Sequence, residues 1–431
     1  MLHRLKVALS WAAYGLLIYL LLPLVWLYLL WAARGGSDDR RRRAELLGLA
    51  TAHAQSSRAP IWVHAVSVGE VNAARPVLRA LKERYPGVPL VLTTTTRTGA
   101  EAARLGGLAQ HYYAPLDYPF AIRRFLDRVR PRAVLIMETE LWPNLLASCE
   151  RRDIPVLILN ARLSARSQRS YRRFRSFFNS FAGKSRRILC QHQADAERFL
   201  ALGVPPEKMG VTGSIKFDIA FPPEVYEAGA RLRTQLGEQR PVWVAASTHE
   251  GEDEKVLAAF SRILAARPEA LLILVPRHPE RFSRVHALCV ERGFSVSRRS
   301  HLEVVKPDTR IYLADTMGEL PALFAAADIA FIGGSLVEVG GHNPLEAVVM
   351  GTPPLTGPVY FNFADIVSQL AEQGGALVVP DEVALANEVL ALLSDPARRQ
   401  TMMEMGQKVV AQNRGALART VEAIQAEVAP E

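Results

Sequence analysis

The chain has 431 residues, 49% of them hydrophobic and 22% charged, which excludes a disordered tail or a small disulfide-stapled module and implies more than one folded domain. Its 52 basic and 43 acidic side chains leave a formal charge of +9, favouring anionic partners such as nucleotides, phospholipid head groups or nucleic acid without choosing among them. Cys149, Cys190 and Cys289 lie far apart with no Cys-x-x-Cys pair, so they support neither a disulfide framework nor a zinc site and fit a reducing compartment.

Residues 7–33 read VALSWAAYGLLIYLLLPLVWLYLLWAA, without an ionisable group other than tyrosine. As a helix they extend about 40 Å, enough to cross a bilayer with some tilt. A secretory signal has a much shorter apolar core, so the segment reads as a retained anchor. Arg4 and Lys6 precede it, whereas Arg34 and Arg40 to Arg43 follow it, which places the bulk of the chain on the cytoplasmic side. Pro23 would kink the helix and leaves monotopic insertion open; Trp11, Trp26 and Trp31 suit an interface either way.

Beyond the anchor, short apolar runs alternate with helical stretches. IWVHAVSV (61–68), VPLVLTTTT (88–96), AVLIME (133–138), VLILNA (156–161) and ILCQH (188–192) form one series of predicted strands. VWVAAST (242–248), LLILVPR (271–277), IYLAD (311–315), IAFIGG (329–334) and GALVVP (375–380) form a second. Between them DIAFPPEVYEAG (218–229) reads as an interdomain connection through its paired prolines. The prediction is an α/β protein of two doubly wound Rossmann-like domains with parallel sheets, facing a cleft. The expected boundaries are an anchor over 1–35, a first domain over 36–222 and a second over 223–431, whose last helix is free to pack back on the first. Ligands in such sheets collect at the carboxyl ends of strands.

Those ends carry the candidate chemistry. Ser67-Val68-Gly69-Glu70 opens a helix, so Glu70 is either a carboxylate favoured by the helix dipole or a general base whose burial opposes that dipole. Met137-Glu138-Thr139-Glu140 places two carboxylates at the corresponding edge, one for a site and one supporting the turn; spacing does not decide which. Asn144 is a candidate cap for the next helix. Arg277 directly follows a strand, where its fork suits a phosphate, and the Met317-Gly318-Glu319 turn offers backbone groups to a base edge. Glycines 333, 334, 340 and 341 precede a helix opening near Asn343, a good phosphate cradle. Simple tight-turn geometry explains any single one of these turns equally well.

Several motifs are missing. Gly183-Lys184-Ser185 has Phe178 where a P-loop needs its first glycine, and there is no G-x-G-x-x-G and no G-x-S-x-G. There is no Asp-x-Asp, and His64, His249, His278 and His342 lack zinc-type spacing, so no metal is indicated. The stretch Arg162 to Arg187 holds nine basic residues, with Tyr171, Phe174, Phe178 and Phe181 at helical intervals. It reads as an amphipathic helix facing the core or as a patch gripping anionic lipid; nucleic acid fits less well beside an anchor.

The stretches HAVSVGE, METELWPN, NARLSARS, TGSIKFD, STHEGED, LVPRHPERF, DTMGEL and GGSLVEVGGHNPLEA, in order over residues 61–363, resemble the Kdo (3-deoxy-D-manno-octulosonic acid) transferases of bacterial lipopolysaccharide synthesis. The resemblance implies a GT-B glycosyltransferase of the inner membrane. Such an enzyme moves Kdo from CMP-Kdo to a lipid A precursor with inversion, without a metal or cofactor. It implies Glu70 as proton acceptor, Glu138 and Lys216 as transition-state stabilisers, and a CMP site at Pro276, Arg277, Met317, Gly318, Glu319, Asn343, Pro344, Leu345 and Glu346. The competing readings are a GT-B enzyme acting on a UDP-sugar, including epimerases, and a membrane-bound lipid or nucleotide binder without activity.

Overall fold

The structure, a computed structural model, describes residues 2–31, 37–49 and 58–428, with side chains at 5–27, 40–49 and 58–428; Ala33, Arg34 and the side chains of Arg4 and Trp31 fall outside. By its internal contacts the chain divides into a first unit, Met1–Asp218 with Arg414–Glu431, and a second, Ile219–Asn413.

The first unit is built on strands β1 (Ile61–His64), β2 (Leu90–Thr94), β3 (Gln110–Tyr113), β4 (Ala133–Met137), β5 (Val156–Ala161), β6 (Arg187–Cys190) and β7 (Met209–Val211). They form one sheet in the order β3-β2-β1-β4-β5-β6-β7 with every pairing parallel. Strands such as AVLIM are buried at every position, because helices cover both faces and unbroken apolar runs satisfy them. The chain runs outward from β1 to β3 and then returns to β4, so the winding reverses between β1 and β4. Such a reversal opens a crevice at the carboxyl ends of those two strands.

The second unit repeats the plan with β8 (Val242–Thr248), β9 (Leu271–Pro276), β10 (Val296–Arg298), β11 (Ile311–Leu313), β12 (Ile329–Ile332), β13 (Pro354–Thr356) and β14 (Leu377–Val378), in the order β10-β11-β9-β8-β12-β13-β14. Here the reversal falls between β8 and β12.

The expected connection over 218–229 is much shorter. Pro223 starts a helix that runs to Leu236, because its fixed φ and missing N–H suit the first helical turn. Asp218 also ties the start of that passage to the chain's return: its carboxylate accepts from the Gly415 and Leu417 amides, both at 2.6 Å. The helix Ala416–Glu427 then buries Ala416 and Ile424 against Val71 and Leu78 of the helix Val68–Arg84.

The N-terminal helix Leu2–Trp31 is continuous through Pro23, and its Leu5–Leu27 stretch, with mean hydropathy 1.9, is long and apolar enough to cross a membrane. The basic-aromatic segment is two short helices, Ala165–Arg172 and Arg175–Ala182, where the sequence suggested one. Phe178 and Phe181 join the core, whereas Tyr171 and Phe174 stay 41% and 60% exposed, so the aromatic stripe is split between core and surface.

Candidate functional site

In the first unit, β1 hands over to the helix Val68–Arg84 through a reciprocal cap. The Ser67 hydroxyl accepts from the Glu70 amide at 3.4 Å and donates to Glu70 Oε1 at 3.0 Å, while the Val66 amide donates to Oε2 at 2.8 Å. Glu70 therefore stands in the first turn of the helix, where the dipole favours a carboxylate. It is also buried, and burial pushes its carboxyl up to about 7. The hydrogen bond from Val66 opposes that rise, and the negative charges of Glu138 and Glu140 add to it.

Glu138 and Glu140, left as alternatives by their spacing, differ in their contacts. Glu140 accepts from the Trp142 indole at 3.0 Å and supports the turn. Glu138 follows β4 with φ 54°, a left-handed backbone that costs a non-glycine residue on the order of 1 kcal/mol. Its carboxylate pairs with Lys216 Nζ at 3.3 Å. Lys216 lies on the 3₁₀ turn Ile215–Phe217, which Asn160 holds by accepting from the Ile215 amide at 3.1 Å. Asn160 is fully buried with φ 55° at the end of β5. Sequence reasoning passed over it, although a polar residue closing the apolar run VLILNA marked the place.

Asn144 does not cap the helix Pro143–Glu150. Asp117 does so from 27 residues upstream, accepting from the Asn144 and Leu145 amides at 3.0 and 2.9 Å. Burial raises its carboxyl to about 6 despite these bonds. Asn144 instead donates its side-chain amide to the Asp117 carbonyl at 2.6 Å.

In the second unit the carboxyl ends of β11, β9, β8 and β12 are neighbours and carry the remaining candidates. Pro276 ends β9, and the half-buried Arg277 follows, its amide bonded to the Thr248 carbonyl at 3.0 Å. β8 ends in a register shift with Ser247 at φ 59°, which re-aims His249. His249 Nε2 and His342 Nε2 stand 2.8 Å apart with stacked rings, and His278 meets His249 edge-on. Burial, followed by neighbouring imidazole charge, lowers His249 to about 4 and His342 to about 3, so at neutral pH one neutral ring donates to the other. Burial raises the Glu346 carboxyl while nearby Arg277 draws it down, which brings Glu346 into the same group.

The Met317–Glu319 turn is held separately. Glu319 pairs with Arg299 at 2.8 Å, which keeps its carboxyl below the usual range, while Met317 is exposed and Gly318 at φ 85° faces open space. Its carboxylate is committed to Arg299, and its last carbonyl accepts from the Leu323 amide at 3.2 Å.

The glycine-rich turn is not the phosphate cradle that the sequence suggested. Glu252, fully buried, fills it: Oε2 accepts from the Gly334 amide at 2.6 Å and the His249 amide at 3.2 Å, and Oε1 from Ser335 and Leu336 at 3.0 and 2.9 Å. The glycines are there for space and geometry. A Cβ on Gly333 would lie 2.7 Å from the Ser247 carbonyl, and one on Gly334, at φ 68°, would press both His249 and His342. The helix beyond Asn343 spans only Leu345–Val349, and Asn343 Oδ1 takes the Leu345 amide at 3.1 Å, so its dipole offers an anion little.

Residues 41–219 match the family model described as 3-Deoxy-D-manno-octulosonic-acid transferase (kdotransferase), and residues 248–409 that described as Glycosyl transferases group 1. A 3-deoxy-D-manno-octulosonic acid transferase of Haemophilus influenzae is 43% identical over 89% of this chain and 90% of its own length. One of Bordetella pertussis is 40% identical over 96% and 98%. A glycosyltransferase structure from Rickettsia africae, 14% identical, superposes with a TM-score of 0.55 over 87% of this chain and all of its own, a likeness of fold alone. With these identities spanning nearly its whole length, the chain belongs to the 3-deoxy-D-manno-octulosonic acid transferases, glycosyltransferases with two parallel-sheet α/β units of the GT-B kind.

Proposed function

We propose that this transferase moves Kdo from CMP-Kdo to a tetra-acylated lipid A precursor (lipid IVA) in lipopolysaccharide synthesis, by single displacement with inversion and without a metal ion. The observation that carries this reading is the Glu70 carboxyl, buried beside the winding reversal of the first sheet and poised near neutrality. Such a group is suited to take a proton from a sugar hydroxyl at physiological pH. As the proton leaves for Glu70, the hydroxyl oxygen bonds to the anomeric carbon of Kdo. The bond from that carbon to the phosphate oxygen breaks, and CMP departs with the electron pair.

Charge on the departing phosphate is met by Arg277, whose planar fork suits phosphate oxygens. Lys216, held by Glu138, supplies a second cation that a reacting carboxylate sugar would meet. Pro276, Asn343 to Leu345 and the Met317–Glu319 backbone frame the nucleotide, and Glu346 bonds its ribose. The apolar N-terminal helix holds the enzyme on the cytoplasmic face of the inner membrane, where an acylated acceptor resides, so the search for it becomes local.

Incubation with CMP-Kdo and a tetra-acylated, bisphosphorylated lipid A precursor is expected to give a product heavier by Kdo, with CMP released and the rate unchanged by a chelator. CMP is expected to inhibit and UDP to have little effect. Hydrolysis of CMP-Kdo without a heavier lipid, or equal inhibition by both nucleotides, would count against the assignment.

Arg172, Arg173 and Arg175, exposed where the two short helices meet, would in this reading contact the phosphates of the lipid. Reversing their charge is expected to raise the KM for the lipid about tenfold or more, as lost charge-assisted contacts would, while leaving CMP affinity unchanged. Equal effects on both substrates would argue against a lipid role.

A further inference from the structure

We infer that the helix Leu2–Trp31 does not cross the bilayer but lies along the first unit, sinking its outer face into the one leaflet that faces the catalytic units. This goes beyond the anchoring proposed above by fixing how the anchor sits.

Exposure along the helix is periodic. Val7, Trp11, Tyr14, Ile18, Leu22 and Val25 are half-buried, at intervals of three or four residues, so one stripe is docked for most of the length. The contacts are specific. The Trp11 indole donates to Ser180 Oγ at 2.9 Å, the Tyr14 hydroxyl to Asp117 Oδ2 at 2.7 Å, and the Tyr118 hydroxyl to the Ile18 carbonyl at 2.8 Å. Trp11 and Tyr14 pack against Phe177, and Val25 packs against the small core of Leu46, Ala100 and Tyr113.

A spanning helix centres near residue 16 of the apolar stretch Leu5–Leu27. Trp11, Tyr14 and Ile18 would then lie within about 8 Å of the midplane, inside a hydrocarbon layer about 15 Å deep on either side. The surface docked there belongs to the folded first unit and carries the Asp117 carboxylate, bonded to Tyr14 itself. Each ionised group at that depth costs several kcal/mol, so the docked arrangement and a spanning one exclude each other. To span, the helix has to surrender every contact just named.

An in-plane helix keeps them all. Its outer face shows Leu9, Leu16, Leu20, Leu24 and Leu27 between 59% and 65% exposed, far more apolar surface than a helix leaves to water. The same apolar surface continues sideways into a groove of about 350 Å³ between the helix and the exposed rings of Tyr171 and Phe174. Exposed Arg172, Arg173 and Arg175 are the chain neighbours of the groove-lining Tyr171 and Phe174, and theirs is the charge that an anionic leaflet surface complements.

The three native cysteines are buried, so a single introduced thiol reports without interference. His3→Cys tests the N-terminus, and Leu105→Cys, at a position 87% exposed in the first unit, marks the side of the catalytic units. In full-length protein that retains transferase activity, a membrane-impermeant maleimide is applied to inverted inner-membrane vesicles and to spheroplasts. Both thiols are expected to react in inverted vesicles and neither in spheroplasts. Reaction of His3→Cys in spheroplasts, with Leu105→Cys reacting in inverted vesicles, would overturn the inference and leave the transfer chemistry untouched. Where head groups shield the thiol, an N-terminal extension bearing a protease site, cleaved only from the side it faces, distinguishes the same two arrangements.

Discussion

Glu70→Gln is expected to lower turnover with CMP-Kdo by about 10²- to 10⁴-fold while leaving CMP affinity unchanged, the signature of a lost general base. Wild-type turnover is expected to rise with pH through about 7, as the carboxyl that burial has raised gives up its proton, and the variant to lose that limb. Stability supplies the discriminating measurement. An exposed glutamate releases its proton near 4.3, whereas folded Glu70 holds it to about 7, so its contribution is full at low pH and is lost as pH rises through 7. Above that the folded state bears an ionised carboxylate that burial penalises by roughly 4 kcal/mol. A neutral glutamine escapes the penalty. Thermal unfolding is therefore expected to show the variant more stable than wild type at pH 8 and close to it at pH 5. A variant that kept its turnover would sink the base assignment. One that lost turnover and stability together at pH 8 would make Glu70 a helix cap and nothing more.

What the sequence disclosed follows the range of the forces involved. Long aliphatic runs such as LLILVP and VLILNA identify their strands because burial on both faces demands them. β3, reading QHYY, and the three-residue strands β7, β10 and β13 carry no such run and take their conformation from partners already in place. Glu70, the Glu138–Glu140 pair and Arg277 stood out as candidates because each lies just beyond an apolar run that reads as a strand, although spacing did not separate the two glutamates. Asp117 capping a helix 27 residues away, Asn160 holding Ile215 and the paired His249 and His342 were not, since each contact joins segments that only the finished sheet brings together. The connection after Asp218 was read as too long for the opposite reason. Paired prolines that suggest a linker also begin helices, and local composition does not distinguish the two.

Glu252 is the strongest case of a long-range role, and its removal has the largest expected effect on the second unit. Its two oxygens take four backbone amides from two segments more than 80 residues apart, His249 on one side and Gly334 to Leu336 on the other. Truncation to alanine leaves those donors without acceptors where water does not reach, and one unmet buried donor costs about 1 to 3 kcal/mol. Allowing for relaxation, Glu252→Ala is expected to destabilise the unit by about 4 kcal/mol, a fall of roughly 10 °C in Tm. Glu252→Gln is expected to recover less than its shape suggests, because its amide nitrogen points a donor at donors. The same carboxylate fixes the backbone beneath the two stacked imidazoles and so the ground next to Arg277. CMP affinity is therefore expected to fall in both variants even at temperatures where calorimetry finds the unit folded. Had the turn been an open anion site, removing a negative charge from it would instead tighten CMP binding, and calorimetric titration of Glu252→Gln with CMP decides between the two.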